Sequence, residues 1–245
     1  MPVRLARDRP NVTVTTEHRS TIAGMEWALF EGLPDQDVRD VLSIARRRTF
    51  ARGEIVFHQD DPADTLHLVA KGRFAVRVST PLGDTVVLAV LGPGDMFGEL
   101  ALLGEEGARR SATVAALEAG ATRSVHLIDF QRLRGRRPET AEVLVAILSA
   151  QVRRLSRHLV EALYVPADKR LLRRLVELAE VYRPEGGGDP VIPLTQEDLA
   201  GLAGTSRATV NKVLREEEAR GSVALGRGRT TILDADALAA RGGRA

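Results

Sequence analysis

Residues 194–214 read LTQEDLAGLAGTSRATVNKVL, and this stretch contains two short amphipathic helical patterns separated by Gly204. Thr195 stands where it can cap the first helix, with Asp198 three residues later as in a capping box, and Ser206 can cap the second. The inner faces are apolar, with Leu199, Leu202 and Ala203 in the first helix and Val210, Val213 and Leu214 in the second. The stretch predicts a helix-turn-helix.

The second helix of this motif carries most of the residues expected to contact DNA. In a helix-turn-helix the second helix lies in the major groove, with its N-terminal turn directed at base edges. The predicted DNA contacts here are Thr195, Ser206, Arg207, Ala208, Thr209, Asn211 and Lys212. The alternative is a helical hairpin with charged, solvated faces, because short helix pairs with a glycine turn occur in many folds.

The residues after the motif favour the DNA-binding interpretation. Residues 221–233 read GSVALGRGRTTIL, which predicts two short strands around a turn of glycine and arginine. Such a hairpin fits the wing of a winged helix. Arg227 and Arg229 would then lie on phosphates, contacts that position a protein on DNA without reading sequence.

Length and composition set wider limits. A chain of 245 residues exceeds a single winged helix and fits two domains with connections. Its 35 Lys and Arg against 33 Asp and Glu give a net charge of only +2, so the DNA prediction depends on the motif and not on charge. The absence of cysteine excludes disulfides and thiolate metal sites.

The chain shows no signal for membrane insertion or secretion. Its apolar runs are far shorter than the ~20 residues that a membrane span needs. Residues 1–20 are polar and lack the apolar segment of a secretory signal. We expect residues 1–20 to be a flexible tail of a cytoplasmic protein that has no membrane partner.

The first half of the chain changes period after a short helical pattern at 34–46. Strand-like stretches cover residues 54–58, 65–70, 73–79, 85–90 and 124–128. Turn residues such as Lys71-Gly72, residues 82–84 and residues 92–95 separate several of these stretches at intervals of roughly ten residues. This spacing predicts a small antiparallel sandwich or barrel.

One segment of this β module is suited to bind an anion. Residues 97–114 read FGELALLGEEGARRSATV, in which Gly98 and Glu99 open a helical turn that exposes backbone N–H groups. Arg110 and Ser111 follow with a fork of charged donors and a hydroxyl, which suit a phosphate. The alternative is that Glu99 and Arg110 form an ordinary surface salt bridge.

A long helix is predicted from Pro138 to just before Pro166. Apolar residues alternate spacings of four and three along it, at Ala141, Val145, Leu148, Val152, Leu155, Leu159 and Ala162. This heptad pattern favours a two-stranded parallel coiled coil over an ordinary buried helix. A second edge, Leu144, Ile147 and Gln151, can face the β module of its own chain.

The order of these features resembles the cyclic-AMP receptor protein and fumarate-nitrate regulator family over about residues 26–233. The resemblance implies an α+β protein with a cyclic-nucleotide-binding β-roll of the jelly-roll type at 21–137, a dimerisation helix at 138–165 and a winged helix-turn-helix at 166–245. It also implies that residues 97–114 form a phosphate-binding cassette. Gly98 would contribute its backbone, Glu99 would bind the ribose hydroxyl, and Arg110 and Ser111 would bind the cyclic phosphate, with Leu100 and Ser156 completing the predicted ligand contacts.

The chain departs from the family pattern at two places. Family members that bind cyclic AMP usually carry a Thr-Ser pair on the dimer helix, where this chain has Leu155-Ser156-Arg157-His158. In the second helix of the motif a Glu commonly follows the Arg, where this chain has Ala208. A carboxylate that would accept a hydrogen bond from cytosine is therefore missing, so the operator can differ from the usual one of the family.

The leading hypothesis is a homodimeric regulator of transcription that binds a near-palindromic site in double-stranded DNA and contacts RNA polymerase. Its effector is expected to be cyclic AMP or a related cyclic nucleotide, with no metal. The alternatives are a cyclic dinucleotide, haem held by His67, a carboxylic acid or no effector. A metal-dependent β-barrel enzyme is disfavoured because His18, His58, His67, His126 and His158 are scattered without the spacing of a ligand cluster.

Overall fold

The structure of the protein is a computed structural model. It describes residues 27, 30, 34–79, 85–102, 107–136, 138–184 and 186–243. The side chains of residues 37, 139–143, 146, 147 and 150 are also left out of the description. The tail predicted at 1–20, the turn predicted at 82–84 and the side chains of Ala141 and Ile147 therefore lie outside the described residues.

The first domain is built from two four-stranded antiparallel sheets that face each other. Its strands are β1 Arg46–Phe50, β2 Ile55–Phe57, β3 Thr65–Lys71, β4 Phe74–Ser79, β5 Thr85–Leu91, β6 Met96–Phe97, β7 Thr113–Ala116 and β8 Gly120–His126. The sheet orders are β1-β8-β3-β6 and β2-β7-β4-β5. Side chains from both sheets fill the space between them, namely Phe50, Val69, Phe74, Phe97, Val114 and Ala116. The predicted β-roll is confirmed.

Three helices cover the outer face of the first sheet. They are α1 Asp35–Ile44, α2 Leu127–Arg136 and α3 Glu139–Tyr164. Because alternate residues of a strand point to opposite faces, Leu66, Leu68 and Val125 meet these helices while their neighbours face the interior of the roll. The indole of Trp27 also packs here and donates a hydrogen bond from Nε1 to Val69 O at 3.1 Å.

The strand predicted at 124–128 is wrong at its C-terminal end. The strand β8 stops at His126, and Leu127 begins α2. Phe130 and Leu133 lie three residues apart and are both buried, which is the spacing of one helical face. This helical period outweighs the strand-like composition of residues 127 and 128.

The long helix α3 has the predicted bounds and two different faces. It begins after Pro138 and ends at Tyr164, with Val165 extended before Pro166. Leu144 is 2% exposed and packs with the core of the roll, whereas Val145, Val152 and Leu159 on the heptad face are each about 60% exposed. In the single chain, no residue that the structure describes covers this apolar heptad face.

The second domain is a small helical unit with a three-stranded sheet. Its elements are α4 Ala167–Val181, β9 Val191–Ile192, α5 Gln196–Ala203, α6 Arg207–Ala219, β10 Val223–Gly226, β11 Arg229–Ile232 and α7 Ala235–Gly242. The sheet order is β10-β11-β9, with antiparallel pairing. The predicted hairpin is therefore confirmed as β10 and β11. Its fully buried residues include Leu171, Leu175, Ile192, Leu199, Val210 and Leu238.

The second domain packs against the edge of the roll formed by β4 and β5. Arg73 of the roll donates to Val181 O from Nε at 3.1 Å and from Nη2 at 2.9 Å, and Arg77 forms an ion pair with Asp198 at 2.6 Å. Gly201 of α5 allows close approach, because a Cβ there would lie 3.0 Å from Thr85 O. The positions of α4 and α5 are thus linked directly to the roll.

Candidate effector cavity and nucleic-acid interface

A cavity of about 160 Å³ lies between the β-roll and α3. Its lining comes from the segments around Gly98 and Arg110, from β5 and from α3. The polar residues in its lining are Glu99, Arg109, Arg110, Ser111, Gln151 and Arg154, and its apolar residues include Phe57, Val76, Leu88, Leu91, Leu100, Val114 and Leu155. The cavity therefore combines charged groups with a largely apolar wall.

Gly98 allows the part of the cavity beside Arg110 to form. Its φ is +83°, and a Cβ at this position would lie 2.7 Å from Arg110 Nη1 and 2.7 Å from Thr65 O. Only glycine fits such a conformation and such close contacts without strain. The short 3₁₀ helix Glu99–Leu102 follows at once, as the sequence predicted.

Arg110 is buried and is held in a fixed orientation. Its Nη1 donates to Thr65 O at 2.7 Å and its Nη2 to Thr65 Oγ1 at 2.7 Å, while its guanidinium lies 4.1 Å from the centroid of the Phe57 ring. Asp64 Oδ1 is 3.6 Å from Nη2. Burial lowers the pKa of Arg110, and the nearby carboxylates of Asp64, Asp61 and Glu99 act in the opposite direction.

Two polar groups in this part of the cavity have no partner among the described residues. Arg110 Nε is one of them, and it is buried. The other is the carboxylate of Glu99, a residue that is 7% exposed and makes no hydrogen bond or ion pair with any residue that the structure describes. The structure therefore does not show the surface salt bridge between Glu99 and Arg110 that was the alternative. Leaving a buried donor such as Arg110 Nε unsatisfied costs ~1–3 kcal/mol, a cost that a polar ligand in this part of the cavity would relieve.

His67 packs beside Thr65, the residue that holds Arg110 in place. Its ring stacks on Phe97 with centroids 5.0 Å apart, its Nδ1 is 3.0 Å from Thr122 Oγ1 and its Nε2 is 3.4 Å from Thr65 Oγ1. Burial, and secondarily the cations Arg110 and Arg48, lower the pKa of His67 to about 3, so the ring is neutral near pH 7. This packing suits a core histidine better than an axial ligand of haem.

The structure brings together most of the predicted ligand contacts. Gly98, Glu99, Leu100, Arg110 and Ser111 all line the cavity. Ser156 does not, because it is exposed and lies on the same face of α3 as Val152 and Leu159. The α3 residues that line the cavity are Gln151, Arg154 and Leu155.

Sequence reasoning missed Thr65 and Arg154, and it considered His67 only as a ligand of haem. Nothing in the motif around Gly98 points to Thr65 or His67, which lie more than thirty residues earlier in the chain. The sequence did contain a signal that could have identified Arg154. It follows Gln151 by three residues and therefore lies on the helix edge that was expected to face the roll.

Two further features of the described residues bear on the alternatives. Among the described residues, no three His, Asp or Glu side chains are grouped so that they could hold a metal ion. No helix in the described ranges is both long and apolar enough to cross a membrane.

The helix-turn-helix has the predicted caps. Thr195 Oγ1 accepts from Asp198 N at 3.1 Å while Thr195 N donates to Asp198 Oδ2 at 3.1 Å, and Ser206 Oγ accepts from Thr209 N at 3.2 Å. Gly204 is left-handed with φ of +58° and ends α5. These local contacts fix the angle at which α6 leaves α5.

Arg170 joins this turn to the end of the long helix. Its Nε donates to Ala203 O at 2.9 Å and its Nη2 to Gly204 O at 2.8 Å, while Nη1 donates to Val165 O at 2.7 Å. A single guanidinium therefore binds both the turn before α6 and the residue that follows α3.

Several of the predicted DNA contacts line one groove of the domain. Residues of the start of α5, the first turns of α6 and the wing line one groove, among them Thr195, Gln196, Arg207, Asn211 and Arg229. Ser206, Arg207, Ala208, Asn211 and Lys212 are exposed, as are Arg227 and Arg229 in the hairpin, while Thr209 is half-buried. Asn211 Nδ2 is held at 3.3 Å from Gln196 Oε1.

Comparisons with known proteins agree with this architecture. The family model of the cyclic nucleotide-binding domain matches residues 47–137, and that of the Crp-like helix-turn-helix domain matches residues 169–241. The chain is 31% identical over 218 residues to a CRP-like cAMP-activated global transcriptional regulator of Mycobacterium tuberculosis, covering 87% of this chain and 95% of that protein. It is 34% identical over 210 residues to the cyclic AMP receptor protein of Thermus thermophilus, covering 86% of this chain and 94% of that protein.

Solved structures show the same fold. The catabolite activator protein of Thermus thermophilus is 33% identical, with a TM-score of 0.51 over 86% of this chain and 96% of that one. FixK2 of Bradyrhizobium japonicum, 20% identical, has a TM-score of 0.71 over 82% of this chain and 99% of that one, a likeness of fold alone. The chain therefore belongs to the cyclic-AMP receptor protein and fumarate-nitrate regulator family of DNA-binding transcription regulators.

Proposed function

We propose that this regulator is a homodimer whose affinity for a near-palindromic DNA site is controlled by a cyclic nucleotide in the cavity between the roll and α3. The observation that carries the proposal is a pair of groups without partners among the described residues, the buried Arg110 Nε and the carboxylate of Glu99, both on residues that line that cavity. A cyclic nucleotide offers a phosphate anion for the first and a ribose hydroxyl for the second. The two relatives described above, whose names refer to cyclic AMP, support a ligand of this class.

The dimer is proposed on the exposed heptad face of α3. Val145, Val152 and Leu159 follow one another at intervals of seven residues and are each about 60% exposed. A second copy of the same helix would cover them in a parallel coiled coil. The pairing also suits DNA binding, because two recognition helices must reach half-sites about one helical turn, ~34 Å, apart.

The route from ligand to DNA is proposed to run through α3. Gln151, Arg154 and Leu155 line the cavity. Ten residues after Leu155, Val165 O accepts from Arg170, which also holds the turn before α6. A ligand that binds one arrangement of α3 more tightly than another shifts the population of DNA-domain orientations. RNA polymerase is the further partner that we propose for the DNA-bound dimer.

Arg110→Ala tests the ligand part of this proposal. The change removes a buried guanidinium that would form charge-assisted hydrogen bonds with phosphate, each of about 1.5–3 kcal/mol, so we expect nucleotide affinity to fall tenfold or more. Isothermal titration calorimetry of the purified protein with cyclic AMP and cyclic GMP measures it. Arg110→Lys keeps the charge without the planar fork, and we expect an intermediate loss.

The matched control is Arg132→Ala, because Arg132 is exposed on α2, pairs with Asp129 at 3.3 Å and does not line the cavity. We expect this variant to retain most of the affinity. A parent protein that binds no cyclic nucleotide would refute the proposed effector class, and equal losses in both alanine variants would refute the specific role of Arg110.

A further inference from the structure

A second groove, of about 310 Å³, lies where the roll, the long helix and the DNA-binding domain meet. Its walls come from β5 of the roll, from α3, and from α4 and α5 of the second domain. The polar residues of its described lining are Arg154, Arg157 and His158 of α3 and Arg174 and Glu177 of α4. This lining therefore holds three guanidinium groups and a single carboxylate.

The buried guanidinium of Arg174 is already neutralised by carboxylates. Its Nη2 donates to Glu161 Oε2 at 2.6 Å, and its Nη1 lies 3.0 Å from Glu177 Oε2 and also contacts His158 Nε2. Glu161 also binds Arg173 at 2.7 Å. Two guanidinium groups thus face two carboxylates, and this network has no net charge.

The charges of Arg154 and Arg157 are left over. Neither side chain makes a hydrogen bond or ion pair with any residue in the described part of the chain. Arg154 lines the effector cavity as well as this groove, whereas Arg157 lines only the groove of the two. Arg157 is exposed, so its five donors are free to bind a ligand that enters from solvent.

The imidazole of His158 lies among these cations. Burial has the largest effect on its pKa, and Arg174, Arg154 and Arg157 act in the same direction. Together they lower the pKa of His158 to about 4, although Glu161 opposes them, so the ring is neutral near pH 7. Because Nε2 contacts a guanidinium donor, we assign the ring proton to Nδ1. The groove thus combines N–H donors with a positive potential.

We propose that this groove is a second ligand site, which binds a small anion carrying phosphoryl groups through Arg157 and His158, with Arg154 adding positive charge. Guanidinium groups form short, paired hydrogen bonds with such oxyanions. A ligand bound here would touch the roll, α3 and the DNA-binding domain together, and would therefore stabilise the packing of all three. The inference does not depend on the cyclic nucleotide proposed above.

Calorimetric titration of the full-length protein with pyrophosphate, at constant ionic strength, tests the site. We expect saturable binding of one pyrophosphate per chain in the groove. Arg157→Ala should weaken this binding about tenfold, because a charge-assisted pair of hydrogen bonds is lost. Glu177→Gln should strengthen it by about threefold or more, because the groove loses its carboxylate while the amide oxygen can still accept from Arg174.

Arg153→Ala is the matched control. It removes the same charge from α3 one turn before Arg157, and Arg153 is exposed and does not line the groove. We expect the affinity for pyrophosphate to change less than about threefold, because solvent and salt screen an exposed charge outside the site. Thermal unfolding of both variants shows whether either change disturbs the fold.

The imidazole provides a second, direct measurement. A bound anion offsets the three nearby cations and favours the protonated ring, so the pKa of His158 should rise by about one pH unit with saturating pyrophosphate. A pH titration followed by proton NMR of the imidazole C–H signals measures it, with His158→Gln identifying the signal. A structural role for Arg157 alone would not produce this rise.

The outcomes separate this site from the effector cavity, which is the other place suited to phosphate. Pyrophosphate binding that is lost in Arg110→Ala but survives Arg157→Ala places the anion in the effector cavity and overturns the second site. Absence of saturable binding, equal losses in Arg157→Ala and Arg153→Ala, or an unchanged pKa of His158 overturns it as well. Nucleotide binding through Arg110 stands or falls separately, in the titrations with cyclic AMP and cyclic GMP.

Discussion

A protein that carries Val152→Glu together with Leu159→Glu is expected to be a monomer at micromolar concentration and to lose tight binding to palindromic DNA. The two residues are one heptad apart on α3 and are 62% and 61% exposed in the single chain, so the changes should leave the fold of each subunit intact. In a parallel dimer, each glutamate would face its symmetry mate in a dry seam. Burying four unpaired carboxylates costs several kcal/mol each. Light scattering coupled to size-exclusion chromatography measures the mass.

The structure determines which positions give a clean test. Leu148 and Leu155 also belong to the heptad, but Leu148 packs against the core of the roll and Leu155 lines the effector cavity. Charge at either would disturb stability or ligand binding as well as the dimer. Val152 and Leu159 are free of both roles.

Arg153→Glu is the control for this experiment. Arg153 is exposed and is rotated by about 100° around the helix axis from Val152, so a glutamate there lies away from the seam. We expect it to remain dimeric. A parent protein with the mass of a monomer, or a double variant that stays dimeric, would place the subunit contact elsewhere.

The elements that the sequence predicted well are those stabilised by neighbours in the chain. The capping box of Thr195 and Asp198 and the cap of Ser206 involve residues three apart, and Gly204 adopts the left-handed conformation that glycine permits. The long helix was bounded by Pro138 and Pro166 for a similarly local reason. Such interactions can be read from a short window of sequence.

The elements that it missed depend on distant partners. Strand β1, Arg46–Phe50, is exposed at four of its five positions and shows no alternation of apolar residues. It is a strand because it pairs with β8, Arg46 opposite Ser124. Helix α2 was missed because its first residues, Leu127 and Ile128, continue the apolar pattern of β8.

The residues of the site fall into the same two groups, those close together in the sequence and those that only the fold brings together. Gly98, Glu99, Arg110 and Ser111 lie within fourteen residues of one another, and their motif could be recognised. Thr65 binds Arg110 from 45 residues away, and only the fold brings the two together. Ser156 stays a prediction as a ligand contact. It is exposed on the proposed dimer face, so the ligand that it could reach is one bound near a second copy of α3.

Arg207→Ala is expected to weaken binding to a selected palindromic site by about 1–3 kcal/mol per half-site, and hence about 2–6 kcal/mol for the dimer. Arg207 is the first residue of α6, is exposed, and lines the groove between the recognition helix and the wing. Its fork can pair with guanine O6 and N7 in the major groove. The loss should therefore depend on sequence, with relaxed preference at one base pair of each half-site. Selection from a randomised palindromic library, with the effector present, measures it.

Arg229→Ala should behave differently, and the contrast tests the division of roles between helix and wing. Arg229 is exposed in the wing, where we expect it to bind phosphate, so its loss should weaken binding to all sequences alike and lower the salt slope by about one unit per lost contact. Arg215→Ala is the control, because Arg215 lies two turns after Arg207 on α6 and pairs with Glu218 at 2.9 Å. Unchanged base preference on loss of Arg207 would remove it from the base-reading residues. A sequence-dependent loss for Arg229→Ala would instead place the wing at base edges, since a contact with phosphate alone carries no direct information about the base.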